Sequence, residues 1–415
     1  MIKKINTIRI RRKMNIIHID NAGIRNDTSM ESLQLKQEIL ATDAATFSAH
    51  TKPELFALLH KAIDAGVTPV LFDDKIETIA SRIQELGIGS FDEVSESAVL
   101  PTSAYALFFT SGTTGIPTGA IKNRVNIEGE LDALTAIFEP ENFERVIVTV
   151  PFIHIYGFLS GLMLPHRLGC EVLLKEEYYP QELITLHEHK KCLVVTSPVY
   201  IKALLRLKRD QDLSNVVFLS STGLLVEEEV EHFEKQYNTK IIQLFGSTET
   251  GGVAIKRGVN PYWEPLEGVR VSKNHESRMV VDSPYLSSHL FEEKISLMKR
   301  PYTTTDIIEI DEKKFKLLGR ANEIIKISGK RISIVELENL IENTFGVNDV
   351  LITIVRDSSR LKDESLEIKI AGRKMPDRAE IEALLKEQYS QINFDFQLLN
   401  VKQVEKNNMG KKVRR

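Results

Sequence analysis

The run Phe109-Thr110-Ser111-Gly112-Thr113-Thr114-Gly115-Ile116-Pro117-Thr118-Gly119 could hold a polyphosphate. Backbone N–H groups can close on an anion only where side chains are small, and hydroxyls add further donors. Both are supplied here, directly after the apolar residues Ala106-Leu107-Phe108-Phe109. No GxxxxGK[ST] pattern occurs, so this is not a Walker A loop. The composition alone also suits a plain Ser/Thr/Gly surface loop. A second cluster, Gln243-Leu244-Phe245-Gly246-Ser247-Thr248-Glu249-Thr250-Gly251-Gly252, leads from a strand-like run into a small-residue turn that presents one carboxylate, Glu249. A carboxylate beside a triphosphate can hold Mg2+ together with phosphate oxygens. Standing alone, the same residue is a solvated loop glutamate.

Three further segments carry weaker signals. Tyr302-Thr303-Thr304-Thr305-Asp306 ends an extended stretch on an aspartate that could accept from both hydroxyls of a ribose, or could simply close an Asx-turn. Between Gly319 and Gly329, the residues Arg320-Ala321-Asn322-Glu323-Ile324-Ile325-Lys326-Ile327 alternate polar with apolar. The tail Asn408-Met409-Gly410-Lys411-Lys412-Val413-Arg414-Arg415 is basic, as solvated chain ends often are. His154 sits between Ile153 and Ile155, ordinarily the setting of a core histidine.

The elements that must position these residues read as alternating α and β. Thr51 and Glu54 form a capping box, and Leu55, Leu58, Leu59, Ala62 and Ile63 then repeat at helical spacing up to Gly66. Strands are predicted at Thr68–Phe72, Val146–Val150, Cys192–Thr196, Asn215–Ser220 and Lys240–Phe245, with helices between several of them. This is the pattern of a layered α/β domain. From about residue 265 short strands take over, and after about 320 two helices and two strands make a small α+β domain. The expected division is 1–320 and 321–415, with a hinge near Arg320–Glu323 and residues 1–15 as a flexible tail, Met14 being a candidate natural start.

With 415 residues, more than one structural unit is the expectation. Lys and Arg number 54 against 58 Asp and Glu, a net charge of −4, which argues against a nucleic-acid surface. No apolar run reaches the roughly 18 residues of a membrane span. Cys170 and Cys192 lie beside β-rich runs and read as buried reduced thiols, which fits a cytoplasmic setting.

Taken in order, the five motifs resemble those of the superfamily of acyl- and aryl-CoA synthetases, peptide-synthetase adenylation domains and firefly luciferases. The resemblance runs from about residue 100 to the end. It implies a large ATP- and carboxylate-binding domain followed by a small mobile one. It implies that ATP, with Mg2+ on its phosphates, activates a small carboxylic acid to acyl-AMP with release of pyrophosphate. The acyl group then passes to a thiol, that of coenzyme A or of a phosphopantetheinyl carrier protein. Carried over residue by residue, Thr110, Ser111, Gly112, Thr113, Thr114 and Gly115 would hold the phosphates, while Ser221, Thr222 and Gly223 flank the adenine. Phe245 and Gly246 would lie beside the base. Thr248 would contact the α-phosphate, Glu249 the Mg2+ and Asp306 the ribose, with Arg320 nearby. Lys411 would bridge carboxylate and α-phosphate, Lys326 would approach the adenylate or the thioester-forming state, and Asn322 would be the hinge. Pro151-Phe152-Ile153-His154-Ile155-Tyr156-Gly157 is similar to the FHxYG segment of CoA ligases, particularly those for aryl acids. That implies His154 by the acyl carboxylate and Tyr156 and Gly157 on the acyl pocket. No aspartate stands here to bind a substrate ammonium, which argues against an amino acid.

The chain departs from that pattern in places. Only about 100 residues precede the phosphate loop, so a shortened start is expected, which opens the acyl pocket or leaves an edge for a homodimer. Thr118 replaces the usual lysine, with Lys122 as a candidate substitute, and Thr305 replaces a glycine, a strained choice if φ is positive there. A carrier-protein-loading ligase and a catalytically idle nucleotide-binding protein are the competing readings.

Overall fold

The computed structural model describes residues 14–20, 23–29, 44–47, 51–73, 76–90, 100–110, 117–207, 211–327, 330–356, 364–372, 375–389, 394–406 and 412. The chain forms two compact units, one of Met1–Arg270 with Val281–Tyr302, the other of Val271–Val280 with Thr303–Arg415.

The first unit is layered α/β. Among the described residues its larger sheet has nine strands. Six are parallel neighbours in the order Lys240–Ser247, Val216–Ser220, Cys192–Thr196, Arg145–Val148, Glu171–Lys175 and Asn15–Ile19. Antiparallel strands Gly251–Arg257 and Arg25–Ser29 flank them, and Glu264–Pro265 pairs outside the former. The central strands are apolar without alternation, as strands covered on both faces must be. Helices Pro198–Leu205 and Glu227–Tyr237 cover one face, where Phe218, Phe233, Tyr237 and Leu204 are fully buried. Burying a large side chain of this kind contributes roughly 1.5–3 kcal/mol. A second sheet runs Ile295–Leu297, His289–Phe291, Thr118–Asn123, Ala104–Thr110, Thr68–Leu71, Ala44–Thr46. Helix Lys52–Ala65 begins at the expected capping box, with Thr51 Oγ1 accepting from Glu54 N–H and Glu54 accepting from Thr51 N–H at 3.1 Å. It ends at Gly66, whose φ of +78° glycine adopts without penalty.

Met14 is buried and Asn15 opens a strand, so the expectation of a flexible tail over 1–15 fails at these two residues; residues 1–13 lie outside the described ones. Cys170 and Cys192 are free and buried, and burial pushes both thiols up to about 12. No helix among the described residues is long and apolar enough to cross a membrane.

The second unit is α+β. Strands Arg270–Lys273, Arg278–Asp282, Tyr302–Asp311 and Lys314–Arg320 form one sheet, and Ile324–Ile327 pairs with Lys330–Ser333. Helix Ile334–Phe345 and helix Arg378–Gln388 pack on a sheet of Asp349–Arg356, Glu364–Ala371 and Phe396–Asn400. Ile341, Ile352, Ile368 and Ile381 are completely buried in its core. Both helices and the first two strands match expectation. The third strand runs parallel to Glu364–Ala371, a pairing no local pattern announces.

Candidate nucleotide and acyl site

In a parallel sheet all strands end on one edge, and ligands bind there. Here that edge receives three of the motif segments. Strand Arg145–Val148 leads to His154 and Tyr156, strand Val216–Ser220 to Ser221-Thr222-Gly223, and strand Lys240–Ser247 to Thr248 and Glu249. Hydrogen bonds tie the ends together. Thr149 Oγ1 lies 3.0 Å from Thr196 Oγ1, and Ser221 Oγ donates to the Leu244 carbonyl at 2.7 Å.

Tyr156 is buried, and its hydroxyl donates between the carbonyls of Thr196 at 3.0 Å and Leu219 at 2.6 Å. The phenol is therefore a tie between two central strands, and any contact with an acyl group falls to its ring. Burial drives its pKa well above the usual value. His154 has the opposite character: Nε2 is buried and makes no hydrogen bond among the described residues. Burial holds its pKa below the ordinary histidine range, with Asp73 pulling weakly the other way, so the ring is neutral at pH 7. A buried, unpartnered ring nitrogen suits a polar ligand group. Ser220 Oγ and Gln243 Nε2, on paired positions of neighbouring strands, share that state.

Gly157 opens a π-helical turn, Gly157–Met163, an arrangement that often marks functional sites. A Cβ at this position would lie 1.9 Å from the Pro151 carbonyl oxygen. Only glycine lets the 151–157 segment fold back on itself. Gly157→Ala is therefore expected to destabilise the protein by about 3 kcal/mol or more, read by denaturant unfolding. A change under about 0.5 kcal/mol would contradict the close approach.

Phe245 is half-buried with its ring 5.5 Å from that of Trp263, and a bulge follows at Phe245/Gly246. A Cβ on Gly246 would sit 2.2 Å from the Gly251 carbonyl oxygen, so the tight turn carrying Thr248 and Glu249 needs glycine there. Thr222 takes φ +78° and Gly223 is exposed beyond it. The half-buried Glu249 carboxylate is the metal-binding candidate of this turn; it fits Mg2+ as one anionic oxygen ligand alongside phosphate.

Thr110 pairs with Thr118 where the candidate phosphate loop joins its two strands, and Thr110 Oγ1 donates to the Thr118 carbonyl at 3.5 Å. Ser111, Gly112, Thr113, Thr114 and Gly115 lie outside the described residues. Lys122, weighed as a substitute for the missing loop lysine, is fully buried. Its Nζ donates to the carbonyls of Tyr285 at 2.7 Å and Glu249 at 3.3 Å. It is occupied with backbone rather than free for phosphate, a role that a lone lysine in a strand does not announce in sequence.

In the second unit Asp306 and Arg320 are brought together across paired strands, with Arg320 Nε donating to Asp306 Oδ1 at 3.2 Å. Thr305 lies within the strand Tyr302–Asp311 and is not among the described residues of positive φ, so the feared strain is absent. Asn322 falls in the 3-10 turn Ala321–Glu323, and Lys326 lies on the strand after it, opposite Arg331. Lys411 lies outside the described residues. Its neighbour Lys412 is anchored, Nζ lying 2.6 Å from Glu342, 3.3 Å from Glu338 and 3.2 Å from Asp349.

Residues 26–282 match the family model of the AMP-binding enzyme family, more than half of the chain, and the protein belongs to that family. Among curated proteins it is 24% identical over 291 residues to the medium-chain fatty-acid–CoA ligase of Escherichia coli (strain K12), covering 63% of this chain and 50% of that one. It is 27% identical over 293 residues to the long-chain-fatty-acid–CoA ligase of Bacillus subtilis (strain 168), covering 67% and 48%. The chain thus spans about half the length of the curated relatives it matches. The fold is shared with the O-succinylbenzoate coenzyme A synthetase of Bacillus subtilis, solved with ATP and magnesium ion, at TM-score 0.76 and 15% identity, covering 97% of this chain and 96% of that one.

Proposed function

We propose that this chain uses ATP to activate a carboxylic acid as acyl-AMP, releasing pyrophosphate, and passes the acyl group to coenzyme A. The reading is carried by the convergence of the His154, Ser221–Gly223 and Phe245–Glu249 segments on one edge of the parallel sheet. Ligase relatives support the thiol acceptor.

In this reading Thr110 through Gly115 bind the β- and γ-phosphates, and Ser221, Thr222, Gly223, Phe245 and Gly246 bind the adenine. Thr248 orients the α-phosphate, Asp306 with Arg320 holds the ribose, and His154 receives the acid's carboxylate through its unpartnered Nε2. Glu249 holds Mg2+, which would neutralise phosphate oxygens when bound. Lys411 from the small domain, 321–415, offsets the charge of a carboxylate approaching a phosphate, and Lys326 serves the second step after rotation about Asn322. The buried thiols Cys170 and Cys192 support a cytoplasmic setting, and the outer strand Arg25–Ser29 offers an edge for a homodimer.

The test of the acceptor is direct: with acid, ATP and Mg2+ present, thioester should form on coenzyme A and not on a phosphopantetheinyl carrier. Carrier loading alone would reassign the chain to the carrier-loading class. Glu249→Gln keeps the shape but removes the anionic ligand, so the Mg2+ concentration giving half-maximal pyrophosphate release should rise about tenfold or more. Unchanged Mg2+ dependence would show that Glu249 is a loop residue only.

A further inference from the structure

Two charged side chains are buried behind the Glu249 turn, and none of the motifs accounts for them. Lys122 lies on Thr118–Asn123, the strand that leaves the phosphate loop, and is 0% exposed. Glu130 lies on the helix that follows, Arg124–Phe138, and is 3% exposed. Burying two charges is costly, and apolar side chains of similar volume would serve the core as well or better. What apolar side chains cannot do is hold backbone.

Both side chains hold the same short piece of it. Lys122 Nζ donates to the Glu249 carbonyl at 3.3 Å and to the Tyr285 carbonyl at 2.7 Å. Glu130 Oε1 accepts the Gly252 N–H at 2.7 Å, on the other side of the turn. The contact is close enough that a Cβ on Gly251 would stand 2.4 Å from Glu130 Oε2, and one on Gly252 would stand 2.9 Å from Oε1. Ser287 adds a third hold, its N–H donating to the Glu249 carbonyl at 2.9 Å and its Oγ to the Thr248 carbonyl at 3.3 Å. The carbonyls of Thr248 and Glu249 are thus both held from behind.

We propose that Lys122, Glu130 and Ser287 form a buried bracket that fixes the Thr248–Glu249 turn to the strand leaving the phosphate loop, making them positioning residues for the contacts assigned to Thr248 and Glu249. The functional half of this inference rests on the reading under Proposed function; the mechanical half does not. The bracket supplies a direct mechanical link between two motifs that are more than 120 residues apart in sequence, as the Gly252–Glu130 bond spans 122. It adds holds on the backbone of the three-residue turn Thr248–Thr250 beyond the pairing of the two strands that the turn joins.

The deciding variant is Lys122→Met with Glu130→Gln. Methionine keeps the length without the donors, and glutamine keeps the acceptor for Gly252 while removing the charge that Lys122 would otherwise leave uncompensated. Two readouts are taken on the full chain. Hydrogen–deuterium exchange of amides 247–252 should become about tenfold faster, with strands Cys192–Thr196 and Val216–Ser220 unchanged. The Mg2+ concentration for half-maximal ATP binding, by titration calorimetry, should rise about tenfold. A folded variant with wild-type exchange and wild-type Mg2+ dependence overturns the bracket. Faster exchange with unchanged Mg2+ dependence overturns its positioning role. If the double variant does not fold, Ser287→Ala takes its place, with smaller shifts in the same directions expected and wild-type behaviour again overturning the proposal. A wild-type chain that binds Mg2+ and ATP yet releases no pyrophosphate with any acid defeats the proposed reaction, while exchange and Mg2+ titration still decide the bracket.

Discussion

Lys411→Ala is expected to abolish most acid-dependent pyrophosphate release while still converting preformed acyl-AMP to thioester. Attack of a carboxylate on a phosphate brings two anions together, and a cation at that point is needed only in the first step. Losing one charge-assisted contact to developing charge should cost on the order of 3–4 kcal/mol, or about 100–1000-fold in rate. Near-normal adenylation would defeat the assignment. The adjacent Lys412→Ala should behave differently. Burial pulls the Lys412 pKa down, but Glu338, Glu342 and Asp349 outweigh it and push the net shift up. A lysine whose folded pKa is raised adds stability that is complete below its unfolded pKa and is lost as pH climbs through the folded one. Removing it strands three carboxylates, so a loss on the order of 3 kcal/mol is expected in unfolding of the second unit. If Lys412→Ala were the variant with the greater loss of adenylation and no loss of stability, the catalytic lysine would be Lys412.

Asn322→Pro is expected to leave adenylation largely intact and to slow thioester formation severely. A hinge absorbs a large φ/ψ change at one or two residues while its flanks stay rigid. Asn322 lies in a single 3-10 turn between the strand Lys314–Arg320 and the strand Ile324–Ile327. Proline there fixes φ near −65° and restricts Ala321 as well. Single-turnover measurement separates the steps, with acid and ATP first and thiol added to the trapped adenylate. Equal slowing of both steps would mean general damage. No slowing of either would mean that the small domain does not turn about Asn322.

The sequence made legible what local chemistry dictates. The Thr51–Glu54 capping box, the Gly66 stop and the apolar strands of the larger sheet follow from residue preference alone. The turn at Glu249 is readable because a β-rich run meets a cluster of small residues, whereas the metal role expected of Glu249 rests on the order of the five motifs. What was missed depends on partners distant in sequence. Strand Asn15–Ile19 pairs with Glu171–Lys175, and nothing in its five residues announces that neighbour. Lys122 read as a spare cation because its real partners, the carbonyls of Glu249 and Tyr285, belong to backbone and carry no residue signal. The tie that the Tyr156 hydroxyl makes to two carbonyls was hidden for the same reason, and it leaves the ring as the part that could face an acyl group. Gly157 was noticed only through its motif, although its close approach to Pro151 is the stronger reason for glycine.

Acid-dependent exchange of labelled pyrophosphate into ATP tests the central claim most directly. It reports reversible acyl-AMP formation before any thiol is involved. Across a panel of alkyl, aryl and amino acids, at least one alkyl or aryl acid should drive exchange that requires Mg2+ and is lost in Lys411→Ala. A chain that binds ATP and Mg2+ but shows no exchange with any member of the panel would contradict the account.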